Sequence, residues 1–183
     1  MKPGTFPGLE TGRCRLRWFR ESDLEAFTDY RADPDVARYQ SWSSYTYEDA
    51  LALYRDLLHK PFGVDGAWYQ IAIADRKTDA LLGDLALHFV EPGVAELGFT
   101  IAPANQGRGL AREAVRGMLR YLFDEWDYRR VRAVTDVKNR PSIGLLEALG
   151  FRRAAGAPRK VIFKGEPGEE FDYFIAREDW DGS

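Results

Sequence analysis

The sequence predicts one mixed α/β (α+β-like) domain, with a central, mostly antiparallel twisted sheet of six to seven strands, one parallel pair and about four flanking helices. Three observations indicate this class. Segments with strand and helix patterns follow one another in the order β-α-α-β-β-β-α-β-α-β-β. Short turn sequences join the three central strands, as in antiparallel hairpins. The strand–helix–strand unit across residues 94–137 needs a crossover connection, which makes its two strands parallel neighbours.

The first part of the chain contains one strand followed by two helices, the first of which breaks and restarts at Pro34. Residues 14–20 alternate between polar and apolar side chains, as a strand does. The helical segments have capping residues or proline at their starts. They are residues 21–32, capped by Ser22 or Asp23, residues 33–40, with Pro34 in the first turn, and residues 46–60, capped by Thr46.

The remainder contains the central strands, two more helices and the final strands. The second of these helices has Asn139 as its cap and Gly150 as its stop signal. The strands are predicted over residues 67–75, 81–89, 94–101, 128–137, 151–153, 160–164 and 170–177, and the helices from a glycine-rich loop to about Trp126 and over residues 139–150.

Composition narrows the functional classes. A length of 183 residues fits one domain. The net charge of −3 does not favour binding to nucleic acid or to an anionic membrane. Cys14 is the single cysteine, so a disulfide framework within the chain is excluded and a reducing cytoplasm is the expected setting. No apolar run is long enough to span a bilayer. Residues 1–12 are rich in Pro and Gly and lack the apolar stretch of a signal peptide, so we expect a flexible N-terminus before a single domain over residues 13–181.

The stretch PANQGRGLAREA, residues 103–114, carries the clearest functional signal. Its two glycines precede a helix, whose N-terminus offers unpaired N–H groups and the positive end of a dipole. Glycine lets the backbone close around an anion, Arg108 adds a charge-assisted contact, and Ala111 keeps the first turn thin. The loop therefore predicts a phosphate or pyrophosphate site.

Two common nucleotide motifs fit this loop poorly. A Walker loop needs Gly-Lys-Ser/Thr after the glycines, and the sequence has none there. The dinucleotide fingerprint needs a small residue where Arg112 stands. If the glycines are considered alone, a turn that simply leads into the helix is as good an interpretation as a phosphate-binding loop.

Two motifs at the right separation connect the chain with a known family. Residues 106–111, QGRGLA, fit the pattern Q/R-x-x-G-x-G/A, and residues 137–153 carry the pattern N-x-x-S…G-F. The chain thereby resembles the GNAT superfamily of N-acetyltransferases over roughly residues 12–181. LRWFRESDLEAF near the start and REDW near the end are similar to its RimJ/RimL-like branch of ribosomal-protein N-terminal acetyltransferases. The resemblance implies a GNAT fold and transfer of acetyl from acetyl-CoA to a primary amine, either a protein N-terminal alanine or serine or a small amine, in a ternary complex.

The resemblance also implies which residues hold acetyl-CoA, with no metal involved. The pantetheine arm lies along the splayed end of a strand, and the pyrophosphate lies on the glycine loop. Asn139 corresponds to a family residue near the pantetheine or thioester, and a helix-cap role is compatible with that position. The implied residues are Phe99, Thr100 and Ile101 for pantetheine, Gln106, Gly107, Arg108, Gly109, Leu110 and Ala111 for the pyrophosphate, and Asn139 and Ser142 near the thioester.

Glu96 is the candidate general base, acting on the acceptor amine through a water. On the strand 94–101 the odd-numbered side chains form the apolar face, so Glu96 faces the other way, beside Gly98 and Thr100. Many family members carry a glutamate at this position. The alternative is an ordinary solvent-facing strand glutamate.

His88 is placed beside Glu96 by the expected hairpin. If residues 91–93 form a three-residue loop, Val90 opposes Val94, and His88 then opposes Glu96 on the same face. Such a pair can tune or relay protons. A loop one residue longer or shorter breaks this register. The alternative is a histidine that is simply hydrogen-bonded at a strand edge.

The proton donor departs from the family pattern. Many members place a tyrosine on the short helix four residues before its terminal glycine, where Leu146 stands here. Ser142 is the polar alternative that part of the branch uses, and a helix-capping serine is the other interpretation. Cys14 invites a covalent Cys–His mechanism, but neither a helix N-terminus nor a local histidine activates it, which favours an inert buried thiol.

The acceptor pocket is expected between the first two helices and the sheet. Tyr39, Trp42 and Tyr45 are its candidate lining, or in part they fill core. The acidic Asp35 and Glu48 suit a cationic acceptor. Pairing of the final strands is one route to a homodimer. The alternative function is a non-catalytic acyl-CoA-binding sensor or interaction module, which keeps the cofactor loop and needs no catalytic base.

Overall fold

The computed structural model describes residues 5–182, which form a nine-stranded sheet flanked by five α-helices. The mixed α/β fold class is confirmed, and the strand that the sequence does not predict is Leu9–Glu10, because its two residues leave no periodic signal. The strands are β1 Leu9–Glu10, β2 Cys14–Arg17, β3 Trp68–Asp75, β4 Leu81–Glu91, β5 Val94–Ile101, β6 Arg130–Asp136, β7 Arg152–Arg153, β8 Arg159–Phe163 and β9 Glu166–Ala176. The helices are α1 Leu24–Ala32, α2 Pro34–Ala37, α3 Tyr47–His59, α4 Leu110–Arg120 and α5 Arg140–Ala148.

The sheet has the order β1-β2-β3-β4-β5-β6-β9-β7, with β8 paired to β9. The parallel pair is β5–β6, as predicted, and the other pairings of the described strands are antiparallel. The β5–β6 pair has three paired positions, from Val94 opposite Arg130 to Glu96 opposite Arg132. Beyond this point β5 remains paired with β4 but has no paired position on β6, so residues 97–101 have one free edge. The sheet is therefore open at its centre.

Each face of the sheet carries its own apolar core. The larger core lies under α4 and α5 and includes Ala95 and Leu97 of β5. The smaller core lies under α1 and α3 and includes Phe27 and Tyr30. Since neighbouring strand residues alternate between faces, Glu96 lies on the face of the smaller core, as predicted.

The helix predicted to run to about Trp126 changes its geometry before that residue. Its α-helical part, α4, ends at Arg120, and a π-helical turn, Tyr121–Glu125, continues it. The buried side chains Leu110, Ala114 and Met118 form the apolar stripe that the sequence indicates. The stripe fixes the start of α4, and the loop before it, against the sheet.

The N-terminal segment joins the fold earlier than the sequence suggests. Residues 1–12 were expected to be flexible, and residues 1–4 lie outside the described part of the chain. Phe6 is buried among aromatic side chains, and Leu9–Glu10 pairs with β2. The packed domain therefore begins before residue 13, because β1 and β2 form a hairpin.

A buried ion pair ties α1 to β4. Arg31 Nη2 donates to Asp84 Oδ2 at 3.1 Å, and the two residues are only 7% and 1% exposed. Tyr30 and Gln70 also donate to the Asp84 carboxylate. Burial, followed by the charge of Asp84, raises the pKa of Tyr30 well above its usual value. The first helix is thereby held on the sheet by a dense polar cluster.

We expect Asp84→Asn to lower the free energy of unfolding by about 3 kcal/mol or more, because it leaves Arg31 buried without its counter-ion. Urea unfolding followed by circular dichroism measures the loss. Asp56→Asn is the control, since its pair with Lys60 lies on the surface and its loss should be below about 1 kcal/mol. Equal losses in the two variants would contradict a stabilising role for the buried cluster.

Candidate active site

The glycine loop lies at the N-terminus of α4, directly after β5. Gly107 and Gly109 have φ values of +72° and +74°, a left-handed conformation that glycine adopts without strain. Gly109 is the N-cap of α4 and makes no side-chain cap, so the first N–H groups of the helix are left for another partner. Gln106 Nε2 donates to the Ile101 carbonyl at 3.0 Å, which fastens the loop to the end of β5. This is the geometry of an anion-binding helix N-terminus.

A cleft of about 740 Å³ connects the loop with the gap between β5 and β6. It continues to a far end formed by α2, β8 and β9, so it suits an extended ligand. Its lining residues are 97–101 of β5, residues 105–107 and 109–112 of the loop and α4, residues 133–136 of β6, Asn139, Pro141, Ser142, Leu145 and Leu146 around α5, and Asp35, Val36, Tyr39, Gln40, Val161, Phe163 and Glu170 at the far end.

The residues predicted to hold the cofactor lie together in this cleft, with the exception of Arg108. The guanidinium of Arg108 donates to Asn105 Oδ1 at 3.1 Å, on the preceding turn. The backbone of the loop, more than its cation, therefore faces the cleft.

The first turn of α5 brings two predicted residues to the gap. Asn139 is the N-cap, and its side chain accepts a hydrogen bond from the Ser142 backbone N–H at 3.3 Å. Its cap role and its position in the cleft hold at the same time. Leu146, one turn further on, is buried and lines the same wall. Ser142 is thus a hydroxyl on the wall where the family's tyrosine position holds an apolar side chain.

The β4–β5 hairpin has the predicted register at the site, since His88 lies opposite Glu96. The predicted turn is wrong, because Glu91, and not Val90, opposes Val94. The hairpin closes with a shorter turn, and an irregularity at Val90 adds back the residue that this turn removes. The register beyond it is therefore unchanged.

Glu96 and His88 lie beside the cleft and not among its lining residues. Arg132 Nε donates to Glu96 Oε2 at 2.6 Å across the last paired position of β5 and β6. The His88 ring stacks on Trp68 at 4.5 Å between centroids, and its buried Nδ1 has no hydrogen-bond partner among the described residues. The lining begins at Leu97, the next residue after Glu96. The roles of Glu96 as general base and of His88 as its partner stay predictions.

The aromatic residues predicted for the acceptor pocket divide into two groups. Tyr39 lines the far end of the cleft, and its hydroxyl donates to the Lys138 carbonyl at 3.4 Å. Trp42 and Tyr45 do not line it, because their rings lie 4.0 and 5.1 Å from the Arg31 guanidinium. A buried cation attracts aromatic faces. These two rings therefore complete the buried cluster around Arg31.

The far end of the cleft is acidic. Asp136 and Glu170 are directly opposed on β6 and β9, and both line the cleft. Like charges at opposed positions are unfavourable, so the pair favours a cation between or beside them. Arg159 offsets part of this charge through a 2.8 Å contact with Glu170. Asp35 also lines this end, as the sequence suggested, whereas Glu48 does not.

The sequence analysis did not identify Asp136 and Glu170 as neighbours, because their proximity depends on the pairing of β6 with β9.

Cys14 is free and fully buried, and burial raises the pKa of its thiol, which makes it a poor nucleophile. Within residues 5–182, no three His, Cys, Asp or Glu side chains converge as metal ligands would. No helix in the described part of the chain has the length and apolar character needed to cross a membrane.

Comparison with known proteins defines the class. Residues 13–152 match the family model described as the acetyltransferase (GNAT) domain. The chain therefore belongs to the GNAT acetyltransferases, a family of N-acetyltransferase enzymes that use acetyl-CoA. The uncharacterized N-acetyltransferase YnaD of Bacillus subtilis (strain 168) is 30% identical over 94% of this chain and 98% of its own length.

Solved structures support the same assignment. The acetyltransferase (GNAT family) from Bacillus anthracis has a TM-score of 0.83 and 25% identity, over 93% of this chain and 99% of its own. A spermidine N-acetyltransferase from Vibrio cholerae, solved with CoA and spermine, has a TM-score of 0.76 at 21% identity, over 91% and 96% of the two chains. That similarity concerns the fold alone.

Proposed function

We propose that this enzyme transfers acetyl from acetyl-CoA to a primary amine, a protein N-terminal alanine or serine or a small amine, by direct attack in a ternary complex. The observation that carries this proposal is a single cleft that joins an anion-binding helix N-terminus to the gap in the sheet and to an acidic far end. A ligand with a pyrophosphate at one end and a thioester at the other fits these surfaces in that order.

The residues of the cleft fit the parts of the cofactor. The N–H groups of residues 107–111 would hold the pyrophosphate, and a Cβ at Gly107 would meet no heavy atom within 4 Å, so the loop leaves open space there. The free edge of residues 99–101 would pair with the pantetheine amides as an added strand. Asn139 and Ser142 would then lie near the thioester.

The proposed chemistry assigns one task to each polar side chain. Acetyl-CoA supplies a thioester that an amine attacks once it has lost its ammonium proton. Glu96 receives that proton through a water, with Arg132 fixing its carboxylate and His88 standing opposite it. As the C–S bond breaks, Ser142 donates a hydrogen bond to the sulfur, since Leu146 has no polar group, and the thiolate takes up the second proton that the nitrogen loses on becoming an amide.

The acceptor site is proposed at the far end of the cleft, where Tyr39, Asp35, Asp136 and Glu170 lie. Asp35 and Glu170 are paired with Arg38 and Arg159, and the remaining charge of Asp136 favours an amine that carries positive charge while it approaches. Terminal segments that resemble the RimJ/RimL-like branch support a protein N-terminus as the acceptor, and the charge alone suits a small polyamine equally.

A reduced Cys14 is consistent with the cytoplasm. In the described chain β8 pairs with β9 only, which leaves an edge for the proposed homodimer.

Binding of acetyl-CoA tests the loop. We expect Gly107→Asp to bind acetyl-CoA at least tenfold more weakly than Gly107→Asn, because the two side chains share a shape and differ by a negative charge beside the phosphates. Titration calorimetry measures both dissociation constants against the unaltered protein. Equal constants for the two variants would mean that the pyrophosphate lies elsewhere.

Turnover tests the base. Glu96→Gln should lower kcat by about 100-fold with unchanged affinity for acetyl-CoA, because the amide cannot take up the proton but keeps an oxygen that can accept from Arg132. Thiol release across a panel of peptide and small amines is the measurement. Glu91→Gln, exposed on the same hairpin, is the control and should keep full activity. Full activity in Glu96→Gln would exclude its role as base, and acetyl-CoA binding without turnover of any amine would favour the sensor function.

The acidic far end predicts a preference among acceptors. Asp136→Asn should raise KM about three- to tenfold for a diamine while leaving KM for acetyl-CoA unchanged, because only the acceptor loses an attractive charge. Asp124→Asn, exposed after α4, is the matched control. A rise in KM for acetyl-CoA alone would show that Asp136 serves the cofactor end.

A further inference from the structure

The turn between β1 and β2 is bonded to the first turn of α4. Thr11 Oγ1 donates to Glu113 Oε1 at 2.6 Å, and the Arg13 backbone N–H donates to the same oxygen at 2.5 Å. Arg13 Nε donates to the other carboxylate oxygen, Oε2, at 2.7 Å. Both oxygens of Glu113 are therefore occupied by a segment that lies 100 positions earlier in the chain.

The Arg13 side chain also reaches the glycine loop. Its Nη1 donates to the backbone carbonyl of Arg108 at 2.9 Å. Its Nη2 lies 3.5 Å from the point where a Cβ on Gly109 would be. One guanidinium thus joins the loop to the carboxylate of Glu113 on α4.

This contact fixes the direction of a loop N–H. In a trans peptide the C=O and the following N–H point in opposite directions. Because the Arg108 carbonyl is held toward Arg13, the Gly109 N–H is directed to the opposite side of the peptide. A glycine loop with two left-handed residues is otherwise free to rotate this peptide, and a carbonyl turned toward a bound anion would repel it.

Arg13 also balances a charge. Glu113 lies in the first turn of α4, where its negative charge favours the free helix but opposes a second anion at the same end. Burial alone would raise the pKa of Glu113, but the hydrogen bonds from Thr11 and Arg13 outweigh it and lower that pKa below its usual value. The carboxylate is therefore ionised at neutral pH and requires its cation.

We propose that Arg13 is a positioning residue for the pyrophosphate of acetyl-CoA: it sets the orientation of the Arg108–Gly109 peptide and neutralises Glu113. This inference rests on the proposed function of the loop. It assigns to the N-terminal hairpin a part in cofactor binding that the glycine motif alone does not indicate.

The test compares dissociation constants for acetyl-CoA in five proteins by titration calorimetry. Arg13→Gln should bind roughly tenfold more weakly than the unaltered enzyme, since it loses a charge-assisted link. The double variant Arg13→Gln/Glu113→Gln should recover roughly threefold of that loss, because the unpaired charge of Glu113 is gone while the link to the Arg108 carbonyl stays lost. Glu113→Gln alone should bind within about twofold of the unaltered enzyme, since Arg13 still holds the loop carbonyl.

Arg76→Gln is the matched control. Arg76 contacts Glu10 at 3.1 Å and the Thr11 carbonyl at 3.3 Å, so it anchors the same hairpin without touching the loop. Its affinity for acetyl-CoA should stay within about twofold of the unaltered enzyme, and thermal unfolding should shift equally in Arg13→Gln and Arg76→Gln.

The outcomes distinguish a failure of the proposed function from a failure of the positioning role of Arg13. If the unaltered protein does not bind acetyl-CoA, the proposed function fails, and the positioning role fails with it. If the unaltered protein binds and Arg13→Gln binds equally well, only the positioning role is overturned. If the double variant binds no better than Arg13→Gln, Arg13 does not act by neutralising Glu113 and the proposal is overturned in that form.

Discussion

The separation of β5 from β6 is the constraint on which the site depends. The two strands are paired only as far as the contact between Glu96 and Arg132, and beyond it residues 97–101 keep a free edge inside the sheet. Buried backbone groups need hydrogen-bond partners, so an extended ligand with its own amides fits this gap. Leu110 and Leu146 from the two neighbouring helices are buried in the cleft wall. The gap is thus bounded by helices on one face and leads to charged residues on the other.

Much of the fold followed from local patterns. Alternation, caps and glycine stops indicated the main strands and helices, and the crossover rule indicated the parallel pair. The opposition of His88 and Glu96 was also correct, although the predicted turn was not. The turn is one residue shorter than predicted, and the irregularity at Val90 adds one unpaired residue to β4. The register beyond Val90 is therefore the one that was predicted.

The remaining features depend on contacts between residues far apart in sequence. Arg31 pairs with Asp84, 53 positions away, and Trp42 and Tyr45 pack against this buried guanidinium and do not line the cleft. The contact between Arg13 and Glu113 spans 100 positions. Neither pairing has a periodic signal, because both follow from where packed elements meet. The sequence could therefore indicate the loop that binds the anion but not the hairpin that orients it.

Amide chemical shifts on titration with CoA test the central claim most directly, namely that the cofactor occupies the gap and the loop together. A ¹⁵N-labelled sample reports each backbone N–H. We expect the largest shifts at residues 99–101 and 107–111, with smaller ones at 139–142. Shifts concentrated away from the cleft, around Trp18 and Leu58, or the absence of any shift, would contradict a cofactor site between β5 and β6.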